Sequence, residues 1–179
     1  MDEYVGVGAD HPAAFRHYQQ EHVLSRVKPA QFHGIAGEAA DALAECRRYS
    51  ALLSAMPIDV VCLGIGENGH IAFNDPPVAD FNDPHLAKVV ELDQPCRQQQ
   101  VNDGCFPSFN AVPKTAITLT VPALMSGRAL FCAVPGPRKA QAVRDTLRGP
   151  VATTCPASIL RQHDNATLYL DEASAELLT

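Results

Sequence analysis

Residues 59–77 read Asp-Val-Val-Cys-Leu-Gly-Ile-Gly-Glu-Asn-Gly-His-Ile-Ala-Phe-Asn-Asp-Pro-Pro, and this stretch decides how the fold is interpreted. Its apolar beginning, residues 59–63, is typical of a short buried strand and ends in a glycine-rich turn. The turn carries His70 and then Asp75. A histidine and a carboxylate held just beyond a strand end indicate a catalytic loop.

The same turn also fits a dinucleotide-binding motif, because Gly64, Gly66 and Gly69 match G-x-G-x-x-G. That motif requires a helix that opens at the third glycine and holds a pyrophosphate at its N-terminus. Pro76 and Pro77 follow too soon for such a helix, since a proline inside a helix costs roughly 3 kcal/mol. The acidic residues that follow are also too near to be the ribose ligand expected about 20 positions on. The catalytic-loop interpretation is therefore favoured.

The composition is that of an ordinary globular domain. The 179 residues are 46% hydrophobic and 19% charged, with a formal net charge of −6 and no run of lysine or arginine. This charge argues against nucleic acid or an anionic membrane as the main partner. No apolar stretch approaches the roughly 18 residues of a membrane span, and the first residues lack the features of a signal peptide.

The cysteines predict a reducing environment. None of the six is in C-x-x-C spacing, and Cys62 and Cys132 lie within apolar, strand-like runs. They are interpreted as reduced thiols of a cytoplasmic protein. The same spacing gives no reason to expect zinc, so no metal is predicted.

The remaining pattern predicts an α/β fold. Apolar, strand-like runs alternate with amphipathic helical patterns at 38–53 and 137–148; the runs cover residues 60–63, 116–121, 129–134 and 167–170. Such alternation is typical of a parallel sheet with helices on its faces. Ligands then bind beyond the carboxyl ends of the strands, where the glycine turn lies.

The domain organisation predicted is a single domain over residues 1–179 with one unusual segment. Residues 74–115 are rich in proline and show little periodicity, so an irregular, lid-like insertion is expected there. The chain opens directly on a strand-end motif, and too few strands follow for a complete parallel sheet. It is therefore expected to be the C-terminal, N-terminally truncated part of a larger α/β domain.

Four segments together resemble the glucosamine-6-phosphate deaminase (isomerase) family. Residues 2–6, Asp-Glu-Tyr-Val-Gly, look like its strand-end motif, and residues 64–76 resemble its loop G-x-G-x-[DN]-G-H-I-[AG]-F-N-[ED]-P. Residues 135–140 are similar to its G-x-x-K-A segment, and residues 156–160 with His163 to its P-A-S-x-L-x-x-H. The resemblance runs along nearly the whole chain, and the Gly-His-Ile-Ala-Phe-Asn block is its most specific part.

The resemblance implies a Rossmann-like, mostly parallel sheet flanked by helices. It also implies conversion of glucosamine 6-phosphate and water to fructose 6-phosphate and ammonia, with no cofactor. The family often forms oligomers, so a homo-oligomer is a candidate state that no residue here predicts. The family's phosphate loop, Ser/Thr-Gly-Gly-Thr, lies upstream of the strand-end motif and is absent from this sequence.

Site residues carried over from the family fall on the loop and on the first strand-end motif. Asp2 corresponds to the base that moves a proton between C2 and C1, and His70 to the group that opens the sugar ring. Asp75 would orient His70 or stabilise its charged form, although many members have glutamate there. Asn68 stands where some members have aspartate and would position the histidine by a hydrogen bond.

Substrate binding is expected at the helix that follows residues 129–134. Lys139 would bind the phosphate, where its ammonium adds to the free amides of the helix N-terminus. Gly66 and Gly69 would let the backbone turn tightly at the substrate. Arg97 lies near the family's second basic contact but does not align with it.

Three alternatives stay open. Related 6-phosphogluconolactonases carry D-E-R and G-H-T-A-S-L-F-P, and Tyr4 with residues 71–74 favours the deaminase side. Another sugar-phosphate isomerase of the same fold is a second possibility. An inactive fragment or sugar-phosphate-binding remnant is a third, and the choice between glucosamine and galactosamine phosphate depends on pocket shape.

Overall fold

Six strands and six α-helices follow one another in the computed structural model, which describes residues 1–178. The strands are β1 (Asp2–Tyr4), β2 (Val60–Leu63), β3 (Ala87–Glu91), β4 (Thr115–Leu119), β5 (Ala129–Val134) and β6 (Ala166–Leu170). The helices are α1 (Phe15–Gln19), α2 (Ser25–Val27), α3 (Ala42–Ala55), α4 (Gln94–Asn102), α5 (Val121–Met125) and α6 (Ala140–Arg148). A π-helical turn, Gln20–Leu24, joins α1 to α2, and four 3₁₀ turns lie at Phe109–Ala111, Pro137–Lys139, Pro156–Gln162 and Glu176–Leu178.

A parallel sheet in the order β2-β5-β6 confirms the predicted α/β fold. Because side chains alternate along a strand, one face of the sheet points into the core, where its apolar residues pack with residues of α3 and α6. On the other face, Val60, Phe131 and Tyr169 are 51%, 39% and 54% exposed. The rings of Phe131 and Tyr169 stack there at 6.3 Å between centroids.

A second, antiparallel sheet in the order β1-β4-β3 was not predicted. Its central strand β4 is almost completely buried, and Asp2 of β1 pairs with Thr118 of β4. Residues of both sheets share one apolar core, which includes Leu63 and Leu130 from the parallel sheet and Ile117 from the antiparallel one. The shared core therefore fixes the position of the loops of one sheet relative to those of the other.

Capping residues set where the helices begin. Asp41 accepts hydrogen bonds from the N–H groups of Leu43 and Ala44, so α3 starts at Ala42 rather than at the predicted residue 38. The strand predicted over 116–121 ends earlier, at Leu119, because Thr120 caps α5. The helix predicted over 137–148 is confirmed, with a 3₁₀ first turn.

The expectation that residues 74–115 are irregular is wrong for much of the segment, because β3 and α4 lie within it. Asp93 caps α4 by accepting the N–H of Cys96 at 2.8 Å, and Pro95 occupies its first turn, where a missing N–H costs nothing. The lid function of this segment and the assignment of the chain to one domain stay predictions. Within residues 1–178, no helix has the length and apolar character that crossing a membrane would require.

Candidate active site

The loop after β2 is anchored to the antiparallel sheet. The N–H of Phe73 donates to Thr118 Oγ1 at 3.0 Å. The fully buried side chain of Asn74 donates through Nδ2 to the carbonyl oxygens of Ile71 and Leu119, at 2.9 and 2.8 Å. These bonds fix the loop between the two sheets, as a catalytic side chain requires.

Glycines shape the turn that carries His70. A Cβ atom at Gly66 would lie 2.1 Å from His70 Cε1, so only glycine leaves room for the imidazole ring. Gly69 has φ +83°, and a Cβ atom there would meet Cys155 Sγ at 2.8 Å. The N–H of Gly66 donates to the carbonyl of His70 at 2.9 Å, which closes the turn. The expected role of both glycines in a tight turn thus has a geometric basis.

The side chain of His70 is held by two oxygen acceptors. Its Nδ1 atom lies 2.9 Å from Asp75 Oδ1 and 2.8 Å from Asn68 Oδ1. Because both partners face it as acceptors, the network assigns the proton of the neutral ring to Nδ1. The other nitrogen, Nε2, is then the free proton acceptor of a residue that lines the cavity.

The amide of Asn68 has one orientation that satisfies all its neighbours. Its Nδ2 atom donates to Asp75 Oδ1 at 3.0 Å and to Asp93 Oδ2 at 3.3 Å. Its Oδ1 atom accepts the backbone N–H of His70 at 3.1 Å as well as Nδ1. A flipped amide would point its oxygen at two carboxylates, so the orientation, and with it the tautomer of His70, is fixed.

The two carboxylates of this network are shifted in opposite directions. Burial acts to raise the pKa of Asp75, but the hydrogen bond from His70 and the positive charge of its protonated form, with bonds from Asn68 and Cys96, outweigh it and lower that pKa. Burial raises the pKa of Asp93, and the nearby charge of Asp75 adds to the effect. Asp75 is therefore the carboxylate that stays ionised next to His70.

Asp2 and His70 line one cavity of about 840 Å³, together with Gly66 and Lys139. Burial raises the pKa of the Asp2 carboxyl, while the positive N-terminus and His70 oppose the shift. A carboxylate with a raised pKa is a better proton acceptor, as a general base requires. Asn68, Asp75 and Gly69 do not line this cavity.

Lys139 reaches the same cavity from the carboxyl end of β5. It is the last residue of the 3₁₀ turn Pro137–Lys139 and comes directly before α6. Burial lowers the pKa of Lys139, and the charges of Asp103 and Glu67 oppose the shift. Its neighbour Arg138 is paired with both of those carboxylates, with Glu67 at 3.2 Å.

Arg97 does not line the cavity. Its guanidinium donates to the carbonyl oxygens of Phe109 and Val112 at 2.8 and 2.9 Å and lies 4.1 Å above the Phe109 ring. These contacts hold the segment after α4 against the helix. The structure gives Arg97 a structural role rather than a place beside a phosphate.

Sequence reasoning missed three polar residues of α4 and its cap. Besides Asp93, Gln99 accepts the N–H of Glu67 at 2.9 Å, and Gln100 accepts the hydroxyl of Tyr4 at 2.6 Å. Both glutamines are buried and line the cavity. The only signal in the sequence is the run Gln98 to Gln100, which is equally typical of an exposed helix face.

A family model places these residues in context. Residues 2–169 match the family described as glucosamine-6-phosphate isomerases/6-phosphogluconolactonase. The chain is 37% identical to a glucosamine-6-phosphate deaminase of Exiguobacterium sibiricum, over all of this chain and 69% of that protein. It is 38% identical to one of Listeria innocua, over 99% of this chain and 74% of the relative.

Solved structures agree with these relatives. A monomeric glucosamine-6-phosphate deaminase superimposes with a TM-score of 0.91 at 35% identity, over 99% of this chain and 73% of its own. The 6-phosphogluconolactonase of Thermotoga maritima superimposes with a TM-score of 0.70 at 22% identity, over 94% of this chain and 69% of its own. The second likeness shows the shared fold alone.

Proposed function

This chain belongs to the glucosamine-6-phosphate isomerase/6-phosphogluconolactonase family, and we propose that it is an enzyme that converts glucosamine 6-phosphate and water to fructose 6-phosphate and ammonia. The deaminase side of the family is supported by relatives at 37–38% identity. The lactonases are more distant, at 22% identity in the structure compared above.

One observation carries the proposal: the network that places the proton of His70 on Nδ1. With Asp75 and Asn68 as acceptors at 2.9 and 2.8 Å, Nε2 is free to take the proton of the sugar's anomeric hydroxyl and pass it to the ring oxygen, O5. This transfer opens the ring and leaves the aldehyde at C1. Asp75 stabilises the positive charge that the imidazole gains on the way.

Asp2 then moves a proton along the opened chain. Its carboxylate takes the proton from C2 and returns one to C1, while a proton of the amino group passes to O1, so that the 2-amino aldehyde becomes an imine at C2 with a hydroxyl at C1. Water adds to C2 and ammonia leaves, so that the ketone of fructose 6-phosphate remains. The raised pKa of Asp2 supports this role, because a base of ordinary carboxyl pKa would hold the proton too weakly.

Lys139 supplies the positive charge for the phosphate. It lies in the wall of the cavity that also contains Asp2 and His70. It directly precedes α6, and the N-terminal N–H groups of a helix favour a bound anion. Its neighbour Arg138 is already paired with Glu67 and Asp103, which leaves Lys139 as the phosphate ligand of this turn.

The test is a direct assay with glucosamine 6-phosphate. Ammonia and fructose 6-phosphate should appear in equal amounts, and 6-phosphogluconolactone should not be hydrolysed faster than in buffer. Lactone hydrolysis without ammonia would instead favour the lactonase alternative. A folded chain that binds the sugar phosphate but releases no ammonia would favour the binding remnant.

Replacing His70 tests the central role. We expect His70→Ala to lower kcat by about 10²- to 10⁴-fold while KM changes little, because proton transfer and not binding is removed. His22→Ala is the matched control, since His22 lies on the exposed π-helical turn. Near-normal kcat in His70→Ala would remove this residue from the mechanism.

Three finer attributes are also proposals. A cytoplasmic location is supported by the free state of the six cysteines in the described structure. A homo-oligomer is a family expectation, to be tested by light scattering, and one structural relative is described as monomeric. Side-by-side assays with glucosamine and galactosamine 6-phosphates would decide the preferred epimer.

A further inference from the structure

A third metal-binding side chain lies beside the His70–Asp75 pair. One ligand atom each from His70, Asp75 and Cys96 can be chosen so that all three lie within 4.8 Å of one another. All three residues are buried, with His70 8%, Asp75 0% and Cys96 1% exposed. The positions 70, 75 and 96 are not a compact ligand spacing, so the sequence alone does not reveal the cluster.

The carboxylate of Asp75 has an oxygen that is available to a ligand. Oδ1 receives the hydrogen bonds from Asn68 and His70, whereas no N–H or O–H group of the described residues donates to the buried Oδ2, and the weak thiol donor of Cys96 is the remaining group that acts on this carboxylate. A buried charged oxygen without a partner costs free energy, which a cation at this position would recover.

We propose that His70, Asp75 and Cys96 form a binding site for one soft divalent cation, of which Zn²⁺ is the best fit. An imidazole nitrogen, a carboxylate oxygen and a thiolate are the ligands that zinc takes, at about 2.0–2.3 Å. Ligands around a tetrahedral zinc are about 3.4 Å apart, so ligand atoms that lie within 4.8 Å of one another have to approach by at most about 1.4 Å.

Charge and protons balance at this site. Zn²⁺ with one carboxylate and one thiolate forms a neutral centre, which suits a buried position. The thiol of Cys96 gives its proton to solvent, and the proton on Nδ1 of His70 moves to Nε2 when Nδ1 becomes the ligand. Three protein ligands fill three of the four positions that zinc takes.

Occupation of this site has a consequence that rests on the proposed function. A chain loaded with zinc carries its imidazole proton on Nε2 and no longer has the free acceptor that ring opening uses. Zinc should therefore inhibit ammonia release, and a chelator should restore it. The binding itself does not depend on that activity, so it can be measured even if the proposed reaction is wrong.

The experiment is a titration of the full chain with Co²⁺, which reports a thiolate ligand by a charge-transfer band in the near ultraviolet, followed by displacement with Zn²⁺. We expect one equivalent bound per chain, with the band present. Cys96→Ser should lose the band and weaken Zn²⁺ binding by more than about tenfold. Cys62→Ser, which changes an exposed thiol that is not one of the three ligands, should retain both.

His70→Ala provides a second variant in case Cys96→Ser does not fold, as judged by circular dichroism. Zn²⁺ affinity should fall in His70→Ala as well, because an exposed thiol acting alone would not respond to the imidazole. A wild-type chain without the band would overturn the proposal. Full Zn²⁺ affinity in a folded Cys96→Ser or His70→Ala variant would do the same.

Discussion

At the level of single residues, Gly66 determines whether the His70 ring can occupy its place. A methyl group at Gly66 would lie 2.1 Å from Cε1 and 2.3 Å from Nδ1, and the ring would have to leave Asp75. We expect Gly66→Ala to fold but to lose about 10²-fold in kcat, since a displacement of about 1 Å has effects of that size.

Gly8→Ala is the control for this substitution, because a Cβ atom at Gly8 meets nothing within 4 Å. Its ammonia release should match that of the unchanged chain. Equal activity in both variants would show that the loop adapts to the added methyl group and that the glycine is not required for the ring position.

Asp75 links the network to the pH dependence of stability. Its pKa is lowered in the folded chain from the ordinary value of 3.8, so it stabilises the fold at pH values above that value. This contribution is lost as the pH falls through the lowered folded pKa. Urea unfolding between neutral and strongly acidic pH should show the loss, and Asp75→Asn should flatten this part of the curve.

If the stability of Asp75→Asn declined with acid as steeply as that of the unchanged chain, the carboxylate would not be the group responsible. The pKa shift of Asp2 has the opposite direction from that of Asp75. Its pKa is raised in the fold, so ionisation of Asp2 weakens stability as the pH rises, and its own replacement would not mimic Asp75→Asn.

At the level of elements, α4 is connected to the catalytic loop through its cap. Asp93 uses Oδ1 to accept the N–H of Cys96 and Oδ2 to accept from Asn68. A serine can replace the first bond but not the second. Asp93→Ser should therefore keep the stability of the helix while kcat falls, because the amide that orients His70 loses one of its anchors.

Asp93→Ala removes both bonds and should additionally lose about 1 kcal/mol of unfolding free energy. Thermal unfolding and ammonia release, measured on both variants, separate the two roles. Equal kcat in Asp93→Ser and the unchanged chain would reduce Asp93 to a helix cap.

Helix α4 and its cap also show which parts of the site could be predicted from the sequence and which could not. The loops after β2 and β5 were predictable, because each follows an apolar run and carries glycine or proline next to a charged or titratable residue. Asp93 and Cys96 were not, because their partners at Asn68 and Asp75 are distant in sequence and meet them only through tertiary packing. β1 and β3 were missed because three- and five-residue strands of mixed polarity have no readable alternation.

At the level of the whole molecule, the open face of the parallel sheet sets the behaviour in solution. Val60, Phe131 and Tyr169 expose apolar area on neighbouring strands, and such patches promote association. We expect the chain to self-associate as its concentration rises. The double variant Phe131→Thr and Tyr169→Thr should stay monomeric at higher concentrations in sedimentation velocity.

The matched control for that variant is Tyr18→Thr, which removes an exposed aromatic residue from α1. Its association should equal that of the unchanged chain. If the control and the double variant associated to the same degree, overall surface polarity and not this face would govern the assembly.

The buried amide of Asn74 has a consequence for motion. By binding Leu119 of the central antiparallel strand and Ile71 of its own loop, it ties the segment around His70 to the buried core. Amide hydrogens there should exchange with solvent only when the entire fold opens. Any closing of the protein around a sugar is then expected to move other walls of the cavity, such as α1, towards a stationary histidine.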